Sequence, residues 1–295
     1  MKSLLETILE AKKDKKAIGH FNVSNLETIK AIIGAAQREN VPVIIGVSEG
    51  ERSFIGLRQV AALIKNYREE LSFPIFLNAD HTHSLIKAKQ AIEAGFDAIT
   101  FDLSGLPLEE NIKQTKEIVA YKKSINSEVL IEGETNPIWG KSEVLSEVPK
   151  EVAEAVREIN MTKPELAKQF VKETGVDLLA PATGNIHGVV KDGKSDVIIK
   201  PKIDIERIKE ISKVVDVPLV LHGGSGIPEE DLKQAIEAGV SIIHINTELR
   251  LTWRNSLEEK LKKYPNEIIP YKIMPEVIFD IENLVEKKLR IFNGK

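Results

Sequence analysis

Histidine is scarce in this chain, six in 295 residues, but it is not scattered. His81, His187 and His222 each stand at or just beyond the end of a short apolar run, with His83 in a following loop. Asn22, Ser48, Asp80, Asp102, Glu134 and the Asn246-Thr247 pair occupy the equivalent place after other runs. Three imidazoles arriving from three different strands, with one coordination position left open, form the donor set of a catalytic zinc site. Asp102 and Glu134 could hold the ion in a second position or bind a second cation. A single histidine in such a place would more simply be a hydrogen-bonded structural residue. Three of them with carboxylates between read as ligands. Asp80 directly precedes His81, so in a regular strand the two would point to opposite faces. At a strand terminus that constraint relaxes. Asp80 is then a candidate general acid or base beside a metal-bound substrate, or else a carboxylate that orients His81.

Two further turns have the composition of an anion site. The first, His222-Gly223-Gly224-Ser225-Gly226, leads through Ile227 and Pro228 into an acidic helix start. Glycines let several backbone N–H groups face one anion, and a helix N-terminus adds positive potential. The second is the Asn246-Thr247-Glu248 turn. A phosphate site between the last two strands recurs in barrels. Lysine is absent from the apolar runs, which disfavours imine chemistry and leaves a metal as the electron sink.

The elements that carry these residues alternate regularly. Eight short apolar runs, 17–23, 41–48, 74–81, 98–104, 128–134, 176–183, 218–224 and 242–248, are each followed by amphipathic helical sequence. Eight βα units with near-continuous apolar strands predict an α/β fold, a closed parallel (β/α)8 TIM barrel. One domain over residues 1–295 is expected, with a C-terminal helical arm from about 260 to 295, helical from about Pro275. The repeated Ala-Ile-Glu-Ala-Gly at 91–95 and 235–239, and Gly175, place a glycine where a helix must stop and turn into a strand. The long, proline-containing stretch from Thr135 to Pro164 reads as a functional loop after the fifth strand, helical around 149–159.

Composition narrows the class. The net charge is −4 with signs interspersed, and no basic stripe of the kind nucleic acid requires is present. There is no cysteine, so thiolate chemistry and disulfides are excluded. No apolar run approaches the roughly 18 residues of a membrane span, and the N-terminal stretch lacks the apolar core and cleavage site of a signal peptide. The expectation is a soluble, cytoplasmic protein with a small-molecule substrate and no nucleic-acid or membrane partner.

Several blocks, in order, resemble one family. GHFNVSNLETIKAIIGAA, PVIIGVSEG, NADHTHSLIKAKQAIEAGFDAITFDLS, VLIEGE, GVDLLAPATGNIHG, VPLVLHGGSGIP and the INTEL turn are similar to the class II, metal-dependent fructose-bisphosphate and tagatose-bisphosphate aldolases, over about residues 17–254. The resemblance implies a lyase of glycolysis or gluconeogenesis that cleaves a ketose 1,6-bisphosphate. It implies one catalytic Zn2+ on His81, His187 and His222, Asp102 and Glu134 as alternative metal ligands, and Asp80 as the proton-transfer residue. Gly188, Gly223, Gly224, Ser225, Asn246 and Thr247 would bind the first phosphate, with a monovalent cation or second divalent ion nearby. Asn22 and Ser48 would lie near the substrate. A homodimer or homotetramer is also implied. The chain departs from the family in four places. After Glu134 it reads Thr135-Asn136-Pro137-Ile138-Trp139-Gly140 instead of Leu-Gly and a Gly-Gly-x-Glu-Asp lid, which leaves Glu143 or Glu147 as the lid proton donor. His244 stands where a substrate-contacting Asn is common, and Asn246 where Asp is frequent. Near Met274 a basic residue is usual; Lys272 or Arg250 would have to replace it.

Overall fold

The computed structural model describes residues 2–125, 127–140, 144–145, 160–191, 198–199 and 203–295. The barrel strands are β1 (Ile18–Asn22), β2 (Val43–Val47), β3 (Ile75–Thr82), β4 (Ala98–Phe101), β5 (Leu130–Glu134), β7 (Leu178–Ala180), β10 (Leu219–Leu221) and β11 (Val240–Ile245). They close in the order β1-β11-β10-β7-β5-β4-β3-β2, each pair parallel. All eight expected runs are therefore barrel strands. Outside the barrel, β6 (Val144–Leu145), β8 (Val189–Lys191) and β9 (Ile198–Ile199) form a small sheet. It joins the loop after β5 to the loop after β7.

Eleven helices surround this core among the described residues: α1 (Leu4–Lys13), α2 (Leu26–Glu39), α3 (Glu49–Ile55), α4 (Leu57–Leu71), α5 (Leu85–Ala94), α6 (Leu108–Ser124), α7 (Pro164–Thr174), α8 (Ile205–Val214), α9 (Glu229–Ala238), α10 (Thr247–Lys263) and α11 (Pro270–Phe292). None is long and apolar enough to cross a membrane. Helices α5 and α9 end as expected on Gly95 and Gly239, at φ +89° and +122°. The arm becomes helical at Pro270, earlier than expected. Proline suits the first helical turn, where an N–H would have no partner. Pro275 is accommodated inside the helix because the carbonyl it cannot serve belongs to the exposed Tyr271. The helix expected around 149–159 lies outside the described residues.

The barrel interior is stratified by the two-residue period of the strands. At the bottom, Ile18, Ile44, Phe76, Ala98, Leu130, Leu178, Val220 and Ile242 form an apolar floor, closed from below by Leu4 and Ile8 of α1. Each large side chain fully buried there contributes roughly 1.5–3 kcal/mol. Two residues further along the strands come His20, Asn78, Thr100, Glu132, His222 and His244, all buried and polar. Two residues further again come Asn22, Ser48, Asp80, Asp102, Glu134 and Asn246. The interior thus passes from greasy floor to buried polar tier to reactive rim.

Candidate active site

The rim opens into a cavity of about 340 Å³, lined by Asn22, Ser48, Asp80, His81, Asp102, His187, Gly188, Gly223, Ser225, His244, Asn246 and Thr247, with His83, Ile138, Gly140 and Arg250 completing the wall. Glu134 and His222 lie just beneath it, 1% and 0% exposed. The expected residues are therefore brought together, with two exceptions. Glu143 and Glu147 lie outside the described residues. Gly224 is not on the wall; its N–H donates to the His244 carbonyl (2.9 Å), and a Cβ there would meet that oxygen at 2.8 Å.

Local backbone explains how neighbours in sequence share one face. The pairing of β3 with β4 shifts between Ala79 and Thr82, a bulge that places one extra residue in β3. His81 takes φ +40° within it. The bulge breaks the alternation, so Asp80 and His81 both face the cavity. His187 sits seven residues past β7 and is held by its neighbours. Its N–H donates to the Trp139 carbonyl (2.7 Å). Gly140 lies so near the His187 carbonyl that a Cβ would be 2.3 Å away, and Gly223 likewise meets Ile186 at 2.0 Å. Only glycine allows three loops to close on one another like this. Asn185 completes the join by donating to the His222 carbonyl (3.1 Å).

One donor atom from each of His81, His187 and His222 lies within 4.8 Å of the others. Their rings stand at 74°, 78° and 86° to one another. Imidazole lone pairs lie in the ring plane, so crossed planes can aim three of them at one point. His81, Asp102 and Glu134 form a second close group. Nε2 of His222 pairs with Glu132 (2.7 Å), which leaves Nδ1 as its other ring nitrogen. That nitrogen is buried without a hydrogen-bond partner and faces an equally unpartnered Glu134 Oε1 at 3.7 Å. A carboxylate fixing the far nitrogen of a ligand histidine is the usual support of a metal site. These residues fit a divalent cation. His20, Asp80 and His244 are also close together, but His20 and His244 stack in parallel, 3.5 Å apart with planes 4° off. Their lone pairs cannot converge on one ion.

The electrostatics agree. Burial alone would lower His81, but Asp80, Asp102 and Glu134 together raise it well above an ordinary histidine. Burial opposes protonation of His222 as well, and Glu132 and Glu134 raise it. Glu134 itself is pushed up to about 8 by burial and by Asp102. Asp80 is held well below the usual carboxylate range despite burial, chiefly by His81 and His244. The pocket is a focus of negative potential that favours a cation. Asp80 accepts from Asn22 Nδ2 (2.8 Å) and stays ionised next to the imidazole cluster. At the opposite wall, Ser225 Oγ accepts the N–H groups of Asn246 (3.1 Å) and Glu248 (3.4 Å), tying the glycine turn to the start of α10.

The chain matches the family model described as fructose-bisphosphate aldolase class-II over residues 2–295. It belongs to the class II fructose-bisphosphate aldolase family. Membership makes it an aldehyde-lyase of a metal-dependent family, as the resemblance implied. A fructose-bisphosphate aldolase of Geobacillus stearothermophilus is 36% identical over 99% of this chain and 96% of that protein. A 6-phospho-5-dehydro-2-deoxy-D-gluconate aldolase of Shouchella clausii is 35% identical over 97% of this chain and 92% of that one. Among solved structures, the YdjI aldolase of Escherichia coli K12 superposes with a TM-score of 0.80 at 27% identity, covering 99% of this chain and 97% of that one.

Sequence reasoning named His222 and His244 but missed the rest of the tier beneath the aldolase rim. Glu132 and His20 precede Glu134 and Asn22 by two residues, and that inward period was the available signal. It also missed Gly140, which lies against the His187 carbonyl, and Asn185, which donates to the His222 carbonyl. Of the cations offered for a distal phosphate, Arg250 lines the cavity. Lys272 faces Glu267 at 3.6 Å instead, and Met274 packs against the core.

Proposed function

We propose that this aldolase cleaves a ketose 1,6-bisphosphate, fructose 1,6-bisphosphate before others, reversibly to dihydroxyacetone phosphate and glyceraldehyde 3-phosphate. The observation that carries the reading is the bulge that sets the ionised Asp80 beside three crossed imidazoles. His81, His187 and His222 would hold the catalytic ion, read as Zn2+, with Asp102 and Glu134 as its second position. When bound, the ion polarises the substrate ketone and takes up the developing negative charge. Asp80, steadied by Asn22, accepts the proton of the C4 hydroxyl as the C3–C4 bond breaks. The electron pair of that bond passes to the dihydroxyacetone phosphate half, and Glu143 would return a proton to the carbon that was C3 of the sugar. Gly188, Gly223, Ser225, Asn246 and Thr247 line the end of the cavity that suits the first phosphate, supported by the N-terminus of the 17-residue helix α10. Arg250 would meet the second phosphate. A homodimer or homotetramer is supported by the exposed Ile268, Tyr271 and Phe279 of the C-terminal region.

A second reading, another ketose phosphate with a different configuration or acceptor, is favoured by His244 on the cavity wall and by the differing substrates named for relatives of nearly equal identity. A coupled assay for triose phosphate release, with chelator and then added zinc, separates the two. Release abolished by chelator and restored by zinc supports the first. Silence with fructose 1,6-bisphosphate but turnover of another sugar phosphate replaces it with the second. Silence with every sugar phosphate, with Asp80→Asn binding them as the parent does, would make the chain a non-catalytic binder.

A further inference from the structure

We infer that the short helix α3 positions Asp80 for proton transfer, through two buried side chains that reach it from opposite sides, Arg52 at its main chain and Glu51 at its carboxylate. This rests on the reading of Asp80 as the proton-transfer group.

Glu51 and Arg52 are each only 6% exposed, although Ser53 and Phe54 beside them face solvent. Burying adjacent charges is costly unless each finds partners. They do not pair with one another. Arg52 donates to the carbonyls of Val47 (2.6 Å) and Asp80 (3.0 Å) and to the hydroxyl of Thr82 (3.0 Å). Among the described residues no carboxylate lies within ion-pairing distance of it. The guanidinium is therefore used as a fork on neutral acceptors, spanning the end of β2 and both flanks of the β3 bulge.

That bulge is where the chain needs holding. His81 lies in the left-handed region that side chains rarely adopt. If the strand relaxed to regular pairing, its two-residue period would turn either Asp80 or His81 to the outer face. By anchoring the Asp80 carbonyl and the Thr82 hydroxyl, Arg52 holds both residues inward.

Glu51 acts on the carboxylate. Asn22 has two side-chain N–H groups; one donates to Glu51 Oε2 (3.0 Å) and the other to Asp80 Oδ2 (2.8 Å). Glu51 thereby decides that nitrogen, not oxygen, faces Asp80. Its other contacts, Ser48 N (2.7 Å) and Arg250 Nη2 (2.7 Å), fix it in turn. A glutamine at 51 can offer Asn22 a donor, and the Asn22 amide is then free to rotate its carbonyl toward Asp80.

The test compares metal-loaded parent, Arg52→Lys, Arg52→Met, Glu51→Gln and, as a control, Ser53→Ala, whose hydroxyl only donates to the Glu49 carbonyl. A lysine cannot reproduce the fork. Positioning predicts that kcat falls about 10–100-fold in Arg52→Lys and about tenfold in Glu51→Gln, with KM and bound metal near parental values. Ser53→Ala should match the parent. A kcat within about twofold of parent in both Arg52→Lys and Glu51→Gln overturns the inference, as does a loss of kcat that only tracks lost metal. Should Arg52→Met fail to fold, Arg52→Lys decides. Crystal structures give a readout that needs no substrate. In Arg52→Lys the His81 backbone should leave positive φ or the Asp80 carboxylate should shift by about 1 Å, and an unmoved bulge refutes the role of Arg52. A parent that cleaves no sugar phosphate sinks the functional reading, while these structures still judge this one.

Discussion

Two groups of imidazoles meet inside this barrel and share His222. At the rim, His81, His187 and His222 cross at steep angles. In the tier below, His20 and His244 lie flat on one another, and His222 stacks on His244 at 4.0 Å and 26°. Residue type is the same; ring orientation separates them. Crossed rings send their lone pairs to one point and can bind an ion, whereas stacked rings offer one another their faces and behave as packing. Charge follows the same division. Burial is the largest influence on four of them, His81, His222, His20 and His244, but carboxylates overcome it for His81 and His222, while it prevails for His20, pushed down to about 4, and for His244. The rim is built to carry positive charge and the tier below to exclude it.

The largest test of that division is removal of one imidazole from each group. His81→Ala should reduce bound metal to background and lower kcat by about 1000-fold or more, because the ion supplies several kcal/mol of charge stabilisation. His20→Ala should keep the metal and lose stability by about 2–4 kcal/mol, as other large-to-small core changes do. Metal content after dialysis and urea midpoints check both. Full metal occupancy in His81→Ala would contradict the ligand set, and loss of metal in His20→Ala would show that the lower group belongs to the site.

The barrel and most of its rim were legible in the sequence because strands advertise themselves locally. An apolar run ending in Asp80-His81 or His222-Gly223 states both an element and its business end. What stayed hidden depends on contacts between elements distant in sequence. Glu132 supports His222 from 90 residues away. The bulge at Asp80 leaves no trace in residue types, since Arg52 stabilises it from another unit and could equally have been a solvated helix charge. Gly140 matters only because the His187 carbonyl passes over it. The start of α11 was misplaced for a local reason: Pro275 looked like a first turn, and Pro270 was one.

A second test sharpens the packing character of the lower group. Gly46 is the β2 position in this tier, and His20 occupies the space a side chain there would need; a Cβ would lie 2.0 Å from His20 Cε1. The ring cannot retreat, because His244 is stacked upon it. Gly46→Ala should cost about 3 kcal/mol, the upper end of ordinary overpacking, and His20→Ala should remove most of that penalty in the double variant. Urea denaturation of the four proteins gives the coupling. Additive effects would mean that another group, not the ring, sets the need for glycine.

The smallest effect concerns protons. His20 in the folded protein binds a proton only near pH 4, whereas a histidine in the unfolded chain does so near 6.5. Above 6.5 it is neutral in both states and costs nothing. As the pH falls from 6.5 toward 4 the unfolded chain takes up a proton that the folded one refuses, so stability is lost, by about 2 kcal/mol at pH 5. Glu134, raised to about 8, works the other way, gaining stability as the pH falls from 8 toward 4.5. The net slope therefore hides the histidine. His20→Gln isolates it, since glutamine cannot titrate and can still accept the Asn78 amide that now lies 3.1 Å from His20 Nε2. With metal stripped from both proteins, urea unfolding at pH 7.5 and pH 5 should show the parent losing about 2 kcal/mol more than His20→Gln. Parallel losses would mean that His20 takes up its proton in place, and that the tier beneath the rim tolerates charge after all.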